Sequence, residues 1–312
     1  MIKVEDLTKY YGPTLAVDRV SFEVQKGEVV GFLGPNGAGK TTTMRMITCY
    51  LEPSGGNVEV DGYSVYDHPQ EVRKRIGYLP ESCPLYPEMN VVDYLNYIAE
   101  LRQVPSKERR NRIGEMVEVT GLTGVLHKDI GELSKGFRQR VGLAQAMVHE
   151  PDILILDEPT SGLDPNQIVE IRQLIRDIGR EKTIILSTHI LPEVSATCNR
   201  VIIISDARMV ASGTTDELIN SAQGGDVVTV SVQADQDALY EAMRTAAFVS
   251  EFSKVGEEHV DGKLWIALEI KSTETRIGEQ LFRLVVDKGW SLRELRTEKM
   301  SLEEVFARLT TA

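Results

Sequence analysis

Apolar and polar positions alternate in period two over residues 21–24 and again over residues 28–33, where Val29, Val30, Phe32 and Leu33 lead into a glycine-rich stretch. Such alternation predicts strands. Residues 41–49 are expected to continue as a helix, and residues 57–60, followed by Asp61-Gly62, read as a strand ending in a turn. From residue 90 to about residue 120 the period changes. Val92, Leu95, Ile98, Ala99 and Leu101 recur at three- and four-residue steps, which is helical spacing. Another helix is expected over residues 136–148, stopping before Pro151. Short apolar runs at residues 153–156, 183–186 and 201–204 read as buried strands separated by helical stretches. Strands alternating with helices predict an α/β architecture, with a largely parallel sheet covered by helices.

The pattern shifts near Ser221-Ala222-Gln223-Gly224-Gly225, the best candidate for a linker. Beyond it, strands are predicted at 227–232, 248–255, 264–270 and 292–296, and helices at 237–246 and 275–288. That order, β-α-β-β-α-β, is the ferredoxin-like plan. A last helix is announced by a capping box of Ser301 and Glu304, with Leu302, Val305, Phe306 and Leu309 on one face. The expected organisation is a domain over residues 1–221, with a helical subdomain at about 83–150, and a small α+β domain over 226–312.

Composition narrows the function. The 312 residues carry a net charge of −12, which argues against a nucleic-acid partner, because displacing phosphate counterions requires a basic footprint. No apolar run approaches the ~18 residues that span a bilayer. The opening Met1-Ile2-Lys3-Val4-Glu5-Asp6 lacks the plan of a secretory signal. Cys49, Cys83 and Cys198 are scattered, as suits a reducing cytosol rather than a disulfide framework or a metal site. A cytoplasmic protein is expected, and any membrane path would belong to another chain.

The chemistry-bearing residues fall in two blocks. Gly34-Pro35-Asn36-Gly37-Ala38-Gly39-Lys40-Thr41 is a complete GxxxxGK[ST] loop. Its glycines let successive backbone N–H groups converge on phosphate oxygens, and the helix that follows adds its positive end. Lys40 is placed to reach the β- and γ-phosphates of a bound nucleotide, the Thr41 hydroxyl to ligate Mg²⁺, and Thr42 to contact the α-phosphate side. In the second block, Asp157 follows Ile153-Leu154-Ile155-Leu156 and so emerges at the end of a buried strand. There a carboxylate can hold a Mg²⁺-bound water, and Glu158, next along, is where a general base would polarise an attacking water.

Between these blocks stands Leu133-Ser134-Lys135-Gly136-Phe137-Arg138-Gln139-Arg140. With the phosphate loop upstream and Asp157-Glu158 downstream, it resembles the ATPase subunit of an ABC (ATP-binding cassette) transporter. The resemblance implies a P-loop NTPase fold, with a RecA-like core and a helical subdomain, that hydrolyses ATP with Mg²⁺. It implies that His189 hydrogen-bonds the γ-phosphate. It also implies that Asp164, in Ser161-Gly162-Leu163-Asp164, lies in a loop between two subunits, and that Ser134, Lys135 and Gly136 close over ATP held by a second copy of the chain. Tyr11, with Val17 as apolar neighbour, stands where the family stacks an aromatic on adenine; a tyrosine before the turn at Gly12 is also a plain packing residue.

Two departures stand out. Where the family has a glycine and a glutamine in the signature, this chain has Lys135 and Phe137. The added cation either strengthens the grip on the partner's γ-phosphate or is simply solvated. Glu81 stands where the family usually has a glutamine that contacts Mg²⁺ and relays its occupancy to the membrane partner. Both departures resemble the gliding-motility type of the ABC-2 exporter ATPases, as does the tail over residues 298–306. Residues 82–90, opening on Ser82 and closing on Asn90, combine two prolines with Leu85, Tyr86 and Met89. They suit a groove for a permease's coupling helix, or else a loop packed on the helical subdomain. The function implied is an ATPase on the cytoplasmic membrane face that works as a homodimer and drives a separate permease, with export expected. The rival readings are an ATP-dependent switch acting through a membrane partner and, less in keeping with one cassette and an acidic balance, a soluble cassette protein of translation or DNA repair.

Overall fold

The computed structural model describes residues 1–223, 226–260, 262–274, 276–298 and 301–310. Gly224 and Gly225 of the expected linker, Thr275 of an expected helix, and Lys299 and Met300 of the tail lie outside the described residues. The chain divides into two compact units, Met1–Thr215 with Arg308–Ala312, and Asp216–Ala307.

The first unit begins with β1 (Ile2–Tyr11) and β2 (Thr14–Val24), antiparallel about a turn at Gly12. Their inward positions, Ile2, Val4, Leu7, Val20, Phe22 and Val24, are buried while intervening residues face out. The period-two signal at residues 21–24 is thus the end of an eleven-residue strand. Next come β3 (Val29–Leu33), α1 (Lys40–Ile47), β4 (Gly55–Val60), β5 (Tyr63–Ser64), α2 (Pro69–Arg75) and β6 (Ile76–Leu79). The first sheet has the order β2-β1-β4-β5 and is antiparallel throughout.

The expected helical stretch over residues 90–120 is two helices, α3 (Val91–Leu101) and α4 (Ser106–Val119). Apolar spacing does not register the break, but backbone chemistry does. Gln103 turns left-handed at φ 61°, and Pro105, which has no N–H to continue a helix, stands immediately before α4. Asn90 caps α3 by accepting from the Asp93 amide at 2.9 Å. With α5 (Lys135–Met147), these helices bury a core of their own that includes Tyr94, Leu95, Ile113, Leu122, Val141 and Ala144.

The remaining elements are β7 (Ile153–Asp157), α6 (Pro165–Ile178), β8 (Thr183–Thr188), α7 (Leu191–Thr197), β9 (Arg200–Ser205) and β10 (Arg208–Gly213). They join β3 and β6 in a second sheet of order β10-β9-β3-β8-β7-β6, parallel except where β10 runs against β9. Every residue of β3, β7 and β8 is buried. A parallel strand covered on both faces has to be apolar at consecutive positions, which explains the unbroken Ile153-Leu154-Ile155-Leu156 run. Truncating one such side chain, as in Ile155→Ala, is expected to cost about 2–5 kcal/mol.

The second unit holds α8 (Thr215–Gln223) from Asp216 on, β11 (Val227–Gln233), α9 (Gln236–Thr245), β12 (Glu251–Val260), β13 (Lys263–Lys271), α10 (Ile277–Asp287), β14 (Ser291–Glu298) and α11 (Leu302–Thr310) as far as Ala307. Its antiparallel sheet has the order β12-β13-β11-β14, which is the ferredoxin-like arrangement. Val228, Val230 and Val232 of β11 meet Leu239, Met243, Leu281 and Val285 of the two helices in the core. The second strand lies later than the expected 248–255. Residues 246–249 form a turn closed by the Val249 amide on the Ala246 carbonyl, so the ladder opens at Glu251. The capping box is formed as expected, with Ser301 N donating to Glu304 Oε2 at 2.7 Å and Glu304 N donating to Ser301 Oγ at 3.2 Å.

Candidate functional site

Strand register assembles the site. Leu33 at the end of β3 is level with Thr188 of β8, and Asp157 at the end of β7 is level with Ser187 of β8. Because β8 lies between β3 and β7 and all three are parallel, the segments that leave their carboxyl ends emerge side by side. These are the loop 34–39, Asp157-Glu158, and His189. Open α/β sheets place ligands in the crevice at this end of the strands.

The loop carries the conformations that glycine allows. Gly37 has φ 83° and Gly39, at the start of α1, φ 104°. A Cβ on Gly39 would run into the Ala16 carbonyl oxygen, so the close passage of the loop over β2 excludes any side chain there. Lys40 is buried, and its ammonium donates to the carbonyls of Gly34 at 2.9 Å and Pro35 at 3.2 Å. It also lies 3.4 Å from Glu158 Oε1. The Glu158 carboxylate faces His189 Nδ1 at 2.9 and 3.0 Å. Glu158 holds φ at 48°, a left-handed conformation costly for a residue with a Cβ, and its amide is fixed on Ser187 O and Ser187 Oγ, both at 3.1 Å. Such local strain is typical of functional positions.

Asp157 Oδ1 accepts from Thr41 Oγ1 at 3.2 Å and from Ser187 Oγ. Its other oxygen, Oδ2, is buried with no hydrogen-bond partner. A buried carboxylate oxygen left over beside a threonine hydroxyl fits Mg²⁺, which takes one or two protein ligands and completes its octahedron with phosphate and water. Among the described residues no group of three or more His, Cys, Asp or Glu could hold a metal ion by itself. Behind the pair lies Tyr78, whose phenol is pushed up to about 12, first by burial and then by the Asp157 charge.

An open cleft of ≈ 440 Å³ is lined by Asn36, Gly37, Gly39, Lys40, Thr41, Thr42, Glu81, Glu158 and His189. All of these were expected from the sequence. Ala16 and Ser161 line it too and were not: Ala16 carries no motif, and Ser161 enters only as part of the stretch leading to Asp164. Gly34 opens the loop and is linked to Lys40 through its carbonyl. Tyr11 is not among the lining residues. It ends β1, about half exposed, with the Lys9 ammonium 5.7 Å from its ring centroid, while Val17 is fully buried.

The signature residues open elsewhere. Ser134 caps α5 by accepting from the Phe137 amide at 3.3 Å, and with Gly136 it lines a separate cleft beside Gln167 and Arg140. Lys135 is exposed, and its ammonium occupies the space where a Cβ on Gly162 would sit. Asp164 caps α6, accepting from the Gln167 amide at 2.9 Å. The 82–90 segment is partly packed and partly exposed. Leu85 and Met89 pack on the helical core, whereas Tyr86 stays exposed and its ring meets those of Tyr94 and Tyr97 edge-on.

Comparison with known proteins agrees with this geometry. The ABC transporter family profile matches residues 17–161. The bacitracin transport ATP-binding protein BcrA of Bacillus licheniformis is 33% identical over 313 residues, covering 99% of this chain and 97% of its own. A Nod factor export ATP-binding protein I of Burkholderia orbicola is 32% identical over 318 residues, covering 99% of this chain and 96% of its own. Among solved structures, the dimeric post-hydrolysis state of the ATP-binding cassette MJ0796 bound to ADP and Pi superposes with a TM-score of 0.63 at 26% identity, covering 69% of this chain and 98% of that one. Full-length similarity to such relatives, over a fold that gathers the phosphate loop with Asp157, Glu158 and His189, places the chain in the ABC transporter family, as an ATP-binding subunit with ATPase activity.

Proposed function

We propose that this ATPase powers export through a separate permease of the ABC-2 type, by closing as a head-to-tail homodimer around two ATP molecules and reopening on hydrolysis. One observation carries the dimer. Lys40, Thr41, Glu158 and His189 share one cleft, whereas Ser134 and Gly136 of the same chain line another. A signature loop that lines a cleft apart from its own phosphate site is free to act on ATP held by a second copy. The full-length relatives named for bacitracin transport and Nod factor export support the transport assignment.

Within each site the loop amides and Lys40 would hold the phosphates, and Thr41 with Asp157, assisted by Glu81, would hold Mg²⁺. When bound there, the metal would neutralise phosphate charge. Glu158 accepts a proton from the attacking water, a contribution of about 10²–10⁴ in rate, while His189 keeps the carboxylate oriented and reaches the γ-phosphate. Ser134, Lys135 and Gly136, with the amino end of α5, complete the site from the partner, and Asp164 stands at the contact between copies. Tyr11 stacks on adenine over Val17. The rim of residues 82–90 around exposed Tyr86 receives the permease, holding the chain to the cytoplasmic face of the membrane. Among the described residues no helix is long and apolar enough to cross a membrane.

The test is sedimentation of Glu158→Gln, which binds ATP and turns it over very slowly. Its mass should double under saturating ATP-Mg²⁺ and return to the monomer on removal of nucleotide. A monomer under those conditions rejects the sandwich. Pull-down from native membranes with the ATP-locked protein should recover a multi-span membrane protein, and Tyr86→Ala should weaken the capture. Recovery of ribosomes or nucleic acid would overturn the export assignment.

A further inference from the structure

We propose that Glu193 is a positioning residue that ties the loop carrying Glu158 to the loop carrying His189. Glu193 lies on α7 and is 1% exposed. Its Oε1 accepts from Thr160 Oγ1, and its Oε2 accepts from Thr188 Oγ1 at 2.7 Å. Arg172 Nη2 of α6 lies 3.4 Å from Oε1. A carboxylate this deep is tolerated only when its charge and lone pairs are met, and here two hydroxyls and a guanidinium meet them.

The origin of those hydroxyls gives the network its meaning. Thr160 stands two residues past Glu158, and Thr188 stands immediately before His189. The Thr188 hydroxyl also accepts from the Ile190 amide at 3.0 Å, so the backbone is held on both sides of His189. One buried side chain therefore sets the separation of two loops whose reactive groups, Glu158 and His189, are 2.9 Å apart. Catalytic groups misplaced by about 1 Å can lose 10²-fold in rate, so a tie of this kind acts on turnover more than on binding. Glu193 touches neither ATP nor water in this reading; it works through Thr160 and Thr188.

This inference rests on the roles proposed for Glu158 and His189, and its test separates the two. Glu193→Ala should lower kcat by about 10- to 100-fold with the ATP Kd unchanged. Glu193→Gln, which keeps the reach and offers each threonine a hydrogen-bonding atom, should restore most of that loss. Added to His189→Ala, the Glu193→Ala change should cost less than it does alone, because both act through the same geometry. If Glu193→Ala does not fold, Thr188→Val and Thr160→Val remove one tie each at nearly constant volume and should each lower kcat severalfold. A wild-type kcat per ATP-binding molecule in these variants, with only the Tm reduced, overturns the inference and leaves Glu193 a packing residue. Fully additive losses with His189→Ala overturn it as well. Should Glu158→Gln continue to hydrolyse ATP at the wild-type rate, the reading of the site itself fails, and this inference fails with it.

Discussion

Nδ1 of His189 lies 2.9 Å from Oε2 of Glu158, whose other oxygen is 3.4 Å from the Lys40 ammonium. The carboxylate thus has a buried cation on one side and a half-exposed imidazole on the other. His189→Ala should lower kcat about 10²-fold or more while leaving the ATP Kd within a few-fold of wild type. Because the imidazole is exposed, unfolding stability should change by less than about 1 kcal/mol. Steady-state kinetics beside a denaturant titration checks both; a collapse of affinity with unchanged kcat would make His189 a binding group.

Lys40→Ala should lose two things together. Nucleotide affinity falls because the point charge toward the phosphates is gone. Stability also falls, since Glu158 and the carbonyls of Gly34 and Pro35 lose a buried donor. Leaving one member of a buried ion pair behind costs about 3–5 kcal/mol, and the lower end is expected here because His189 remains. Calorimetric ATP titration and urea unfolding read the two effects; unchanged ATP binding would remove Lys40 from the site.

Glu81, exposed, lines the cleft that holds Lys40 and Thr41. A carboxylate there can share Mg²⁺ but adds negative charge near a triphosphate, so its influence falls on turnover. Glu81→Gln should keep the ATP-Mg²⁺ Kd within about threefold and change kcat. A loss of binding above tenfold would instead identify Glu81 as a principal metal ligand.

His149 gives the fold a pH dependence of its own. Burial first, then the charge of Arg102, lowers its pKa from 6.5 to about 4, although Nε2 has the Ile76 carbonyl at 3.2 Å. The unfolded chain therefore takes up a proton before the folded one does. The stability linked to neutral His149 is complete above pH 6.5, declines as pH falls, and is gone below about 4, amounting to roughly 3 kcal/mol. His149→Gln should flatten that part of the profile when urea midpoints are compared between pH 8 and pH 4.5. Identical slopes in the two proteins would contradict the assignment.

The sequence by itself settled what depends on local spacing and residue type. The phosphate loop, the buried strand ending at Asp157, the capping box at Ser301 and Glu304 and the β-α-β-β-α-β order are short-range patterns. Each follows from what a few neighbouring side chains can do to the backbone. The break between α3 and α4 was also local, in Gln103 and Pro105, but apolar spacing runs across it without interruption and hides it. Tertiary structure alone decided the rest. That β8 lies between β3 and β7, in a register that levels Leu33 with Thr188 and Asp157 with Ser187, is a long-range pairing. No periodicity encodes it, because every position of those strands is apolar or buried whichever neighbour it meets. The same holds for Ala16, which reaches the cleft only because the loop crosses β2, and for Glu193, an ordinary acidic residue on a short helix. Its meaning comes from burial, which forces it to find nearby Thr188 together with Thr160 and Arg172, which are distant in sequence and brought to it by the fold.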